Sequence, residues 1–320
     1  MKKTILFANC LLLIAYCFAH PGVGIVKDSK GNIFYTDLNQ VWKISPDGSK
    51  TVVVHHVHTH ELYMDANDNL YGEHLWYNGE KPDTWGSYAW CLQSNGKLDT
   101  VVAPHKGFLE GYSFNRDGLG NQYWAERFTI SCIKKKTPGG VITTIAEGKF
   151  KDIRWMHVTP EGIVYFVDLL DLYKIDKNGK LSLIVKALAK QPSPFSLQLP
   201  RHSIFGLWLD KNKNIYAAVT SEKAVKKIAL DGKVTDVVYS LLPWSPVSGL
   251  FDDEGNLWLM EFNTFNETRV RKITAKELEK SPSKTKATAI NKVLPLSITA
   301  GMVVLIGLGV KKVIRRKKAI

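Results

Sequence analysis

The stretch HTHELYMDANDNLYGEHLWY, residues 58–77, sets His58, His60 and Glu61 before a short polar turn and Glu73 and His74 after it. Imidazoles and carboxylates are the side chains that hold divalent cations and move protons. Folded as a hairpin, the stretch brings its two charged clusters to one end. Successive side chains of a strand point to opposite faces, so Glu73 and His74 cannot share one direction. The expectation set here is that His74 faces the functional side and that the stretch is one part of a larger ring.

That ring follows from self-similarity along the chain. DSKGNIFYTD, DANDNLYGEH, DGLGNQYWAE, PEGIVYFVD, DKNKNIYAAV and DEGNLWLMEF recur with a period of about 42 residues over positions 22–273. Within each unit a short apolar run, a turn rich in Asp, Gly and Asn, an alternating run, a segment such as VWKI, a second tight turn and a β-branched run succeed one another. These are the marks of four antiparallel strands, and six such units predict an all-β, six-bladed β-propeller. The sixth unit stops after RVRKI, short of a fourth strand, and too few residues precede Gly24 to supply one.

The repeated D-x-x-G-N-[ILQ]-[YFW] with a following V-x-K-I resembles the NHL-type six-bladed propellers and the related senescence marker protein/gluconolactonase and streptogramin lyase propellers. The resemblance covers nearly all of residues 20–273. It implies an axial cation site at one mouth and leaves the activity open, because one fold hosts many functions.

Aligning the repeats places one residue per blade at the end of the second strand: Asp37, His74, Glu126, Asp168, Val219 and Glu261. Glu61 with His60, Arg154 and His202 fall at the starts of first strands. Glu61 aligns with Gly24, Gly206 and Gly249. A ring of carboxylates and imidazoles would shift its own ionisation unless a cation or basic group sat among them. We therefore expect Glu61, Glu126, Asp168 and Glu261 to hold a divalent cation (Ca²⁺, Mg²⁺ or Zn²⁺), His74 or His202 to act as acid or base, and Arg154 to steady developing negative charge. Asp37 and Asp168 also suit a local role, accepting hydrogen bonds from the neighbouring turn. Asp37, His60, Trp76, Trp85, Trp155 and Trp244 are expected to line a site for a small organic or carbohydrate ligand; packing beneath a long loop is the competing role of the tryptophans.

The ends of the chain predict its location. Residues 1–19 read as a secretory signal, 274–292 as a flexible linker, 293–310 as a transmembrane helix and 311–320 as a basic cytoplasmic tail. The propeller then stands on the periplasmic or extracellular side of a single-pass protein. From Thr274 onward eleven Lys and Arg face only Glu277 and Glu279, so +9 of the formal charge of +13 lies beyond the propeller. The nearly neutral outer part has no footprint for nucleic acid. Cys10 and Cys17 fall in the signal segment, leaving Cys91 and Cys132 in structural roles. Two functions remain open: a metal-dependent hydrolase or lactonase-like enzyme, with a lyase as variant, and a non-catalytic propeller that binds a ligand or a protein partner.

Overall fold

A computed structural model describes residues 21–76, 85–126, 131–148, 150–191 and 202–280. The expected signal segment, the transmembrane run, the basic tail, and Tyr77 of the opening stretch lie outside them. Among the described residues no helix is long and apolar enough to cross a membrane.

Six antiparallel sheets follow one another along the chain, each with its strands in sequence order. Blade one is Ile25–Lys27, Ile33–Thr36, Gln40–Ile44 and Lys50–His55. Blade two is Leu62–Met64, Leu70–Trp76, Gly86–Leu92 and Leu98–Lys106. In blade three the inner strand shrinks to a single bridge, Arg116 to Gln122, ahead of Gln122–Glu126, Cys132–Lys136 and Ile142–Glu147. Blade four is Ile153–Val158, Val164–Asp168, Asp171–Ile175 and Leu181–Val185. Blade five is Leu207–Leu209, Ile215–Val219, Ala224–Ile228 and Val234–Tyr239. Blade six has three strands, Trp244–Phe251, Leu257–Asn263 and Thr268–Ile273.

The repeated motif is a local hydrogen-bonding device. Asp117 Oδ1 accepts from the amides of Leu119 and Asn121 at 3.0 and 2.9 Å, and its Oδ2 accepts from Asn121 Nδ2 at 2.7 Å and Tyr123 Oη at 2.8 Å. Asp65, Asp210 and Asp252 bind their own Asn in the same way and then Tyr71, Tyr216 or Trp258. The Gly before the Asn has positive φ, +78° at Gly120 and +81° at Gly255, a region that side chains avoid. The basic residue of the third strand lies over the aromatic of the second, as Lys227 over Tyr216 at 5.9 Å and Lys272 over Trp258 at 5.1 Å. The motif thus fixes the hairpin and the next strand's register and need do no chemistry. Asp117, Asn121 and Tyr123 are all buried, so Asp117→Ala takes the acceptor from two backbone amides, the Asn121 side chain and the Tyr123 hydroxyl. We expect a loss of about 3 kcal/mol, read as a lower urea midpoint at unchanged slope.

Blades stack face to face, and the hydrophobic clusters sit between them. Phe34, Val41, Leu62 and Trp90 join blades one and two, Tyr123, Ile133, Ile153 and Phe166 join three and four, and Val167, Leu172, Leu207 and Ala217 join four and five. A larger cluster unites blades five, six and one through Trp208, Tyr216, Leu257, Met260, Ile25 and Tyr35. Ring closure is therefore made by side-chain packing across blades six and one, with no strand shared between their sheets among the described residues. The first residues of the expected linker fold as a one-turn helix, Ala275–Leu278, held by a capping box between Thr274 and Glu277. Ala275 N donates to Asn256 Oδ1 at 3.2 Å, which seats this turn on the face that carries the tight turns.

Candidate functional site

A cavity of about 670 Å³ follows the propeller axis and is lined chiefly by the inner strands of all six blades. Four of the residues expected to form the site line it: His60, Glu61, Arg154 and Trp155. None of Asp37, His74, Glu126, Asp168 and Glu261 does, and neither do Trp76, Trp85, His202 or Trp244. The reason is geometric. Each sheet runs outward from the axis, so its side chains point sideways into the spaces between blades, and the second strand stands one strand back from the channel.

Each displaced carboxylate has a local task instead. Asp37 accepts from the amides of Asn39 and Gln40 and from Trp42 Nε1 at 2.7 Å. Asp168 Oδ1 accepts from the amides of Lys151 and Asp152 at 2.9 and 2.6 Å. Glu126 stands 3.6 Å from Lys134 Nζ with its side chain half exposed. Glu261 is fully buried between Arg269 Nε at 2.8 Å and Arg271 Nη2 at 3.2 Å. Among the described residues no three of His, Cys, Asp and Glu gather as a metal would require. The expected set of Glu61, Glu126, Asp168 and Glu261 therefore does not fit a resident divalent ion.

The other displaced residues are packed into blade tops. His74 Nδ1 accepts from the amide of His58 at 3.0 Å, and its ring lies beside Trp76 and Tyr88. Burial holds His74 below the ordinary imidazole range. It is thus a neutral structural ring, and the expectation that it faces the axis is corrected. Trp85 meets Phe108 edge to face, His202 approaches Phe205, and Trp244 lies under the Arg269 guanidinium at 4.2 Å. Cys91 and Cys132 are buried free thiols.

Glu73, set aside in favour of His74, is the residue that lines the cavity. Its carbonyl accepts from Trp90 Nε1 at 2.9 Å and from Thr59 Oγ1. Its Oε1 accepts from the amide of His60 at 2.6 Å and stands 3.5 Å from His60 Nδ1. Its Oε2 is buried without a partner.

Counting back four residues from each turn residue (Asp28, Asp65, Asp117, Thr159, Asp210, Asp252) puts Gly24, Glu61, Ser113, Trp155, Gly206 and Ser248 at one level of the channel. Ser248, not Gly249, is thus Glu61's counterpart in blade six, where a bulge follows Pro246. A Cβ on Gly206 would fall 2.7 Å from Ser248 Oγ, and one on Gly24 would fall 2.8 Å from Leu62 Cγ. At this level most blades are too close for a large side chain, and Glu61 and Trp155 are the exceptions.

Sequence reasoning also missed Arg116 and His157. Arg116 lines the cavity with its guanidinium 5.0 Å from the Tyr63 and Tyr112 ring centres and 5.4 Å from that of Tyr71, in the space between blades two and three, whereas the other interfaces are closed by apolar clusters. Arg154 donates through Nε to Asp152 at 2.9 Å. His157 lines the cavity, and burial pushes its imidazole down to about 4. His58 is held at about 4, by burial first and then by the nearby His60 and His74. Both imidazoles are neutral in the fold but take a proton near pH 6.5 once unfolded. Stability is therefore full above about pH 6.5 and declines as pH falls toward 4, by roughly 2–3 kcal/mol for each ring. Urea midpoints measured between pH 7 and 4 are expected to fall accordingly, and His157→Gln to flatten the slope.

No family model and no curated protein matches the chain. Solved structures do. An auxiliary nutrient binding protein from Bacteroides thetaiotaomicron aligns with a TM-score of 0.55 at 11% identity, over 79% of this chain and 68% of that one. A gluconolactonase from Xanthomonas campestris aligns at 0.52 and 12% identity, over 78% and 85% of the two chains. Regucalcin from Agrobacterium tumefaciens, described as a calcium-binding protein, aligns at 0.50 and 14%, over 75% and 81%. The chain is a six-bladed β-propeller. Streptogramin B lyase also matches, at 0.47. At these identities the likeness speaks for the architecture alone.

Proposed function

We propose that this chain is an exported propeller, tethered to the membrane through residues 293–310, that binds a small polar organic ligand in its axial cavity. One observation carries the reading. Among the described residues five buried side-chain polar atoms lack a partner, and three of them, Glu73 Oε2, Trp155 Nε1 and Trp208 Nε1, belong to residues that line this cavity. A buried polar atom without a hydrogen bond is costly, by roughly 1–3 kcal/mol each, and three beside one cavity support a ligand whose entry turns these side chains toward it and supplies the missing partners. One acceptor and two indole donors suit a molecule bearing both hydroxyl-type donors and acceptors, and the Trp155 and Tyr112 rings offer it apolar faces.

Titration calorimetry with monosaccharides, polyols and lactones is the direct test. The ligand found is expected to bind about tenfold more weakly to Glu73→Gln and to Trp155→Phe, each of which keeps the side chain's volume or ring. A ligand indifferent to both changes would remove the cavity reading.

A second reading, hydrolysis or elimination on the bound ligand, is favoured by the 3.5 Å approach of His60 Nδ1 to Glu73 Oε1, the pairing in which a carboxylate orients an imidazole base. In this reading His60 takes the proton, Glu73 fixes the ring and Arg154, lining the same cavity, faces developing negative charge. Turnover of esters or lactones that His60→Ala abolishes while binding survives would select it over simple binding.

A further inference from the structure

The propeller has two unlike faces, and the exposed apolar side chains are divided unequally between them. Twelve large hydrophobic residues are exposed among those described, and seven lie at the tight-turn end: Leu98, Leu119, Val141, Ile142, Leu181, Leu230 and Val234. Only Phe108, Leu241 and Phe265 lie toward the long-loop end. The seven do not scatter at random over their end. Leu98, Ile142, Leu181 and Val234 each open a fourth strand, opposite the last residue of the third, in blades two, three, four and five. They are 51, 52, 40 and 37% exposed. Isolated exposed apolar residues need no explanation, but the same register position left apolar and exposed in four consecutive blades forms a belt.

The belt is interleaved with charges of both signs; lysines stand directly beside its apolar residues, while Asp176 and Asp231 of the same turns accept from the backbone amides of Lys180 and Lys233. Lys97, Lys180 and Lys233 immediately precede Leu98, Leu181 and Val234, and all three are exposed. Lys97 is paired with Asp99 at 2.8 Å; Lys177 and Lys211 stand exposed in neighbouring turns of the same end. In blade one the equivalent position is itself a lysine, Lys50, opposite Ile44. Alternating basic and apolar groups on a convex rim match the boundary between lipid headgroups and acyl chains, where apolar side chains dip inward and ammonium groups meet phosphate.

The chain leaves the propeller on this same face. The third strand of blade six runs toward the tight turns, and the helix Ala275–Leu278 is seated there through Asn256. Twelve residues, 281–292, then separate it from the apolar run that begins at Val293. Twelve residues span at most about 40 Å however they fold, so an apolar run seated in a bilayer keeps the tight-turn face, where the chain leaves the propeller, near that bilayer.

We propose that the tight-turn rim of blades two to five docks on an anionic lipid surface, so that the cavity mouth, on the long-loop face, points away from the membrane. This rests on the membrane tether of the proposed function and not on what the cavity binds. The test uses the whole chain in phosphatidylcholine vesicles with and without one quarter phosphatidylglycerol. An environment-sensitive fluorophore is attached at Leu181→Cys or, on the opposite face, at Phe265→Cys, and is quenched by doxyl-labelled lipid. With anionic lipid, quenching at position 181 is expected to exceed that at 265 at least threefold, and Lys180→Glu with Lys233→Glu to reduce the excess by half or more. A chain that floats with the vesicles but quenches equally at both positions overturns the docking and leaves the tether standing. A chain that fails to float overturns both, and the ligand titration remains an independent test of the cavity.

Discussion

A Glu261→Ala variant is expected to lose about 4 kcal/mol of stability, by the same amount with divalent ions present or chelated. The carboxylate has no exposure and holds Arg269 and Arg271 through three hydrogen bonds. Removing it breaks these three charge-assisted bonds, each worth about 1.5–3 kcal/mol, a loss that water partly offsets because the Arg269 and Arg271 side chains are each 38% exposed. Arg269 also covers the Trp244 ring, so its release loosens the top of blade six. Urea unfolding with and without a chelator separates this account from metal ligation. A loss that appears only when ions are present would return Glu261 to a ligand's role.

Trp90→Ala carries the second large effect. Trp90 is 1% exposed and packs over Gly72, where even a Cβ would fall 2.3 Å from its ring. Deleting so large a buried ring costs about 3–5 kcal/mol through lost burial and the cavity left behind. It also removes the Nε1 bond to the Glu73 carbonyl, so the ligand affinity of whatever folded protein remains should fall together with stability. Gly72→Ala, severe in the native protein, should be nearly silent in the Trp90→Ala background, because the added methyl then enters empty space. Unfolding midpoints of the two single variants and the double variant form the cycle that measures this coupling; simple additivity would refute the packing account.

The architecture could be read from the chain because its signal is local. Asp117, Asn121 and Tyr123 lie within seven residues and bond one another, so the motif that repeats is also the structure that repeats. The truncated sixth blade could be counted from RVRKI for the same reason. The site could not be read in this way, since it depends on how separate blades meet. His74 and Glu73 differ by one position, and which of them reaches the channel is decided by the tangential direction of side chains in a sheet that points outward. The bulge after Pro246 moved blade six by one residue, exchanging Gly249 for Ser248. Arg116 carried no motif at all; its setting among Tyr63, Tyr71 and Tyr112 arises where blade three's inner strand dwindles to a bridge. One sign was visible: Glu61 stands where other blades place glycine, and it does line the channel.

Among the described residues blade six ends at its third strand, and this bears on the order of events in folding. Every sheet is built from consecutive strands, so each can form early and at small entropic cost. Only the join between blades six and one unites distant parts of the chain, as Lys27 and Asp253, 226 residues apart, illustrate. Closing so long a loop comes late and is undone first, because among the described residues no shared ladder of backbone bonds secures it. The molecule therefore has a clasp. Transient opening concentrates there, and amide exchange along Thr268–Ile273 runs ahead of that in the buried second strands, while the packed space between blades three and four, on the far side of the ring, stays shut.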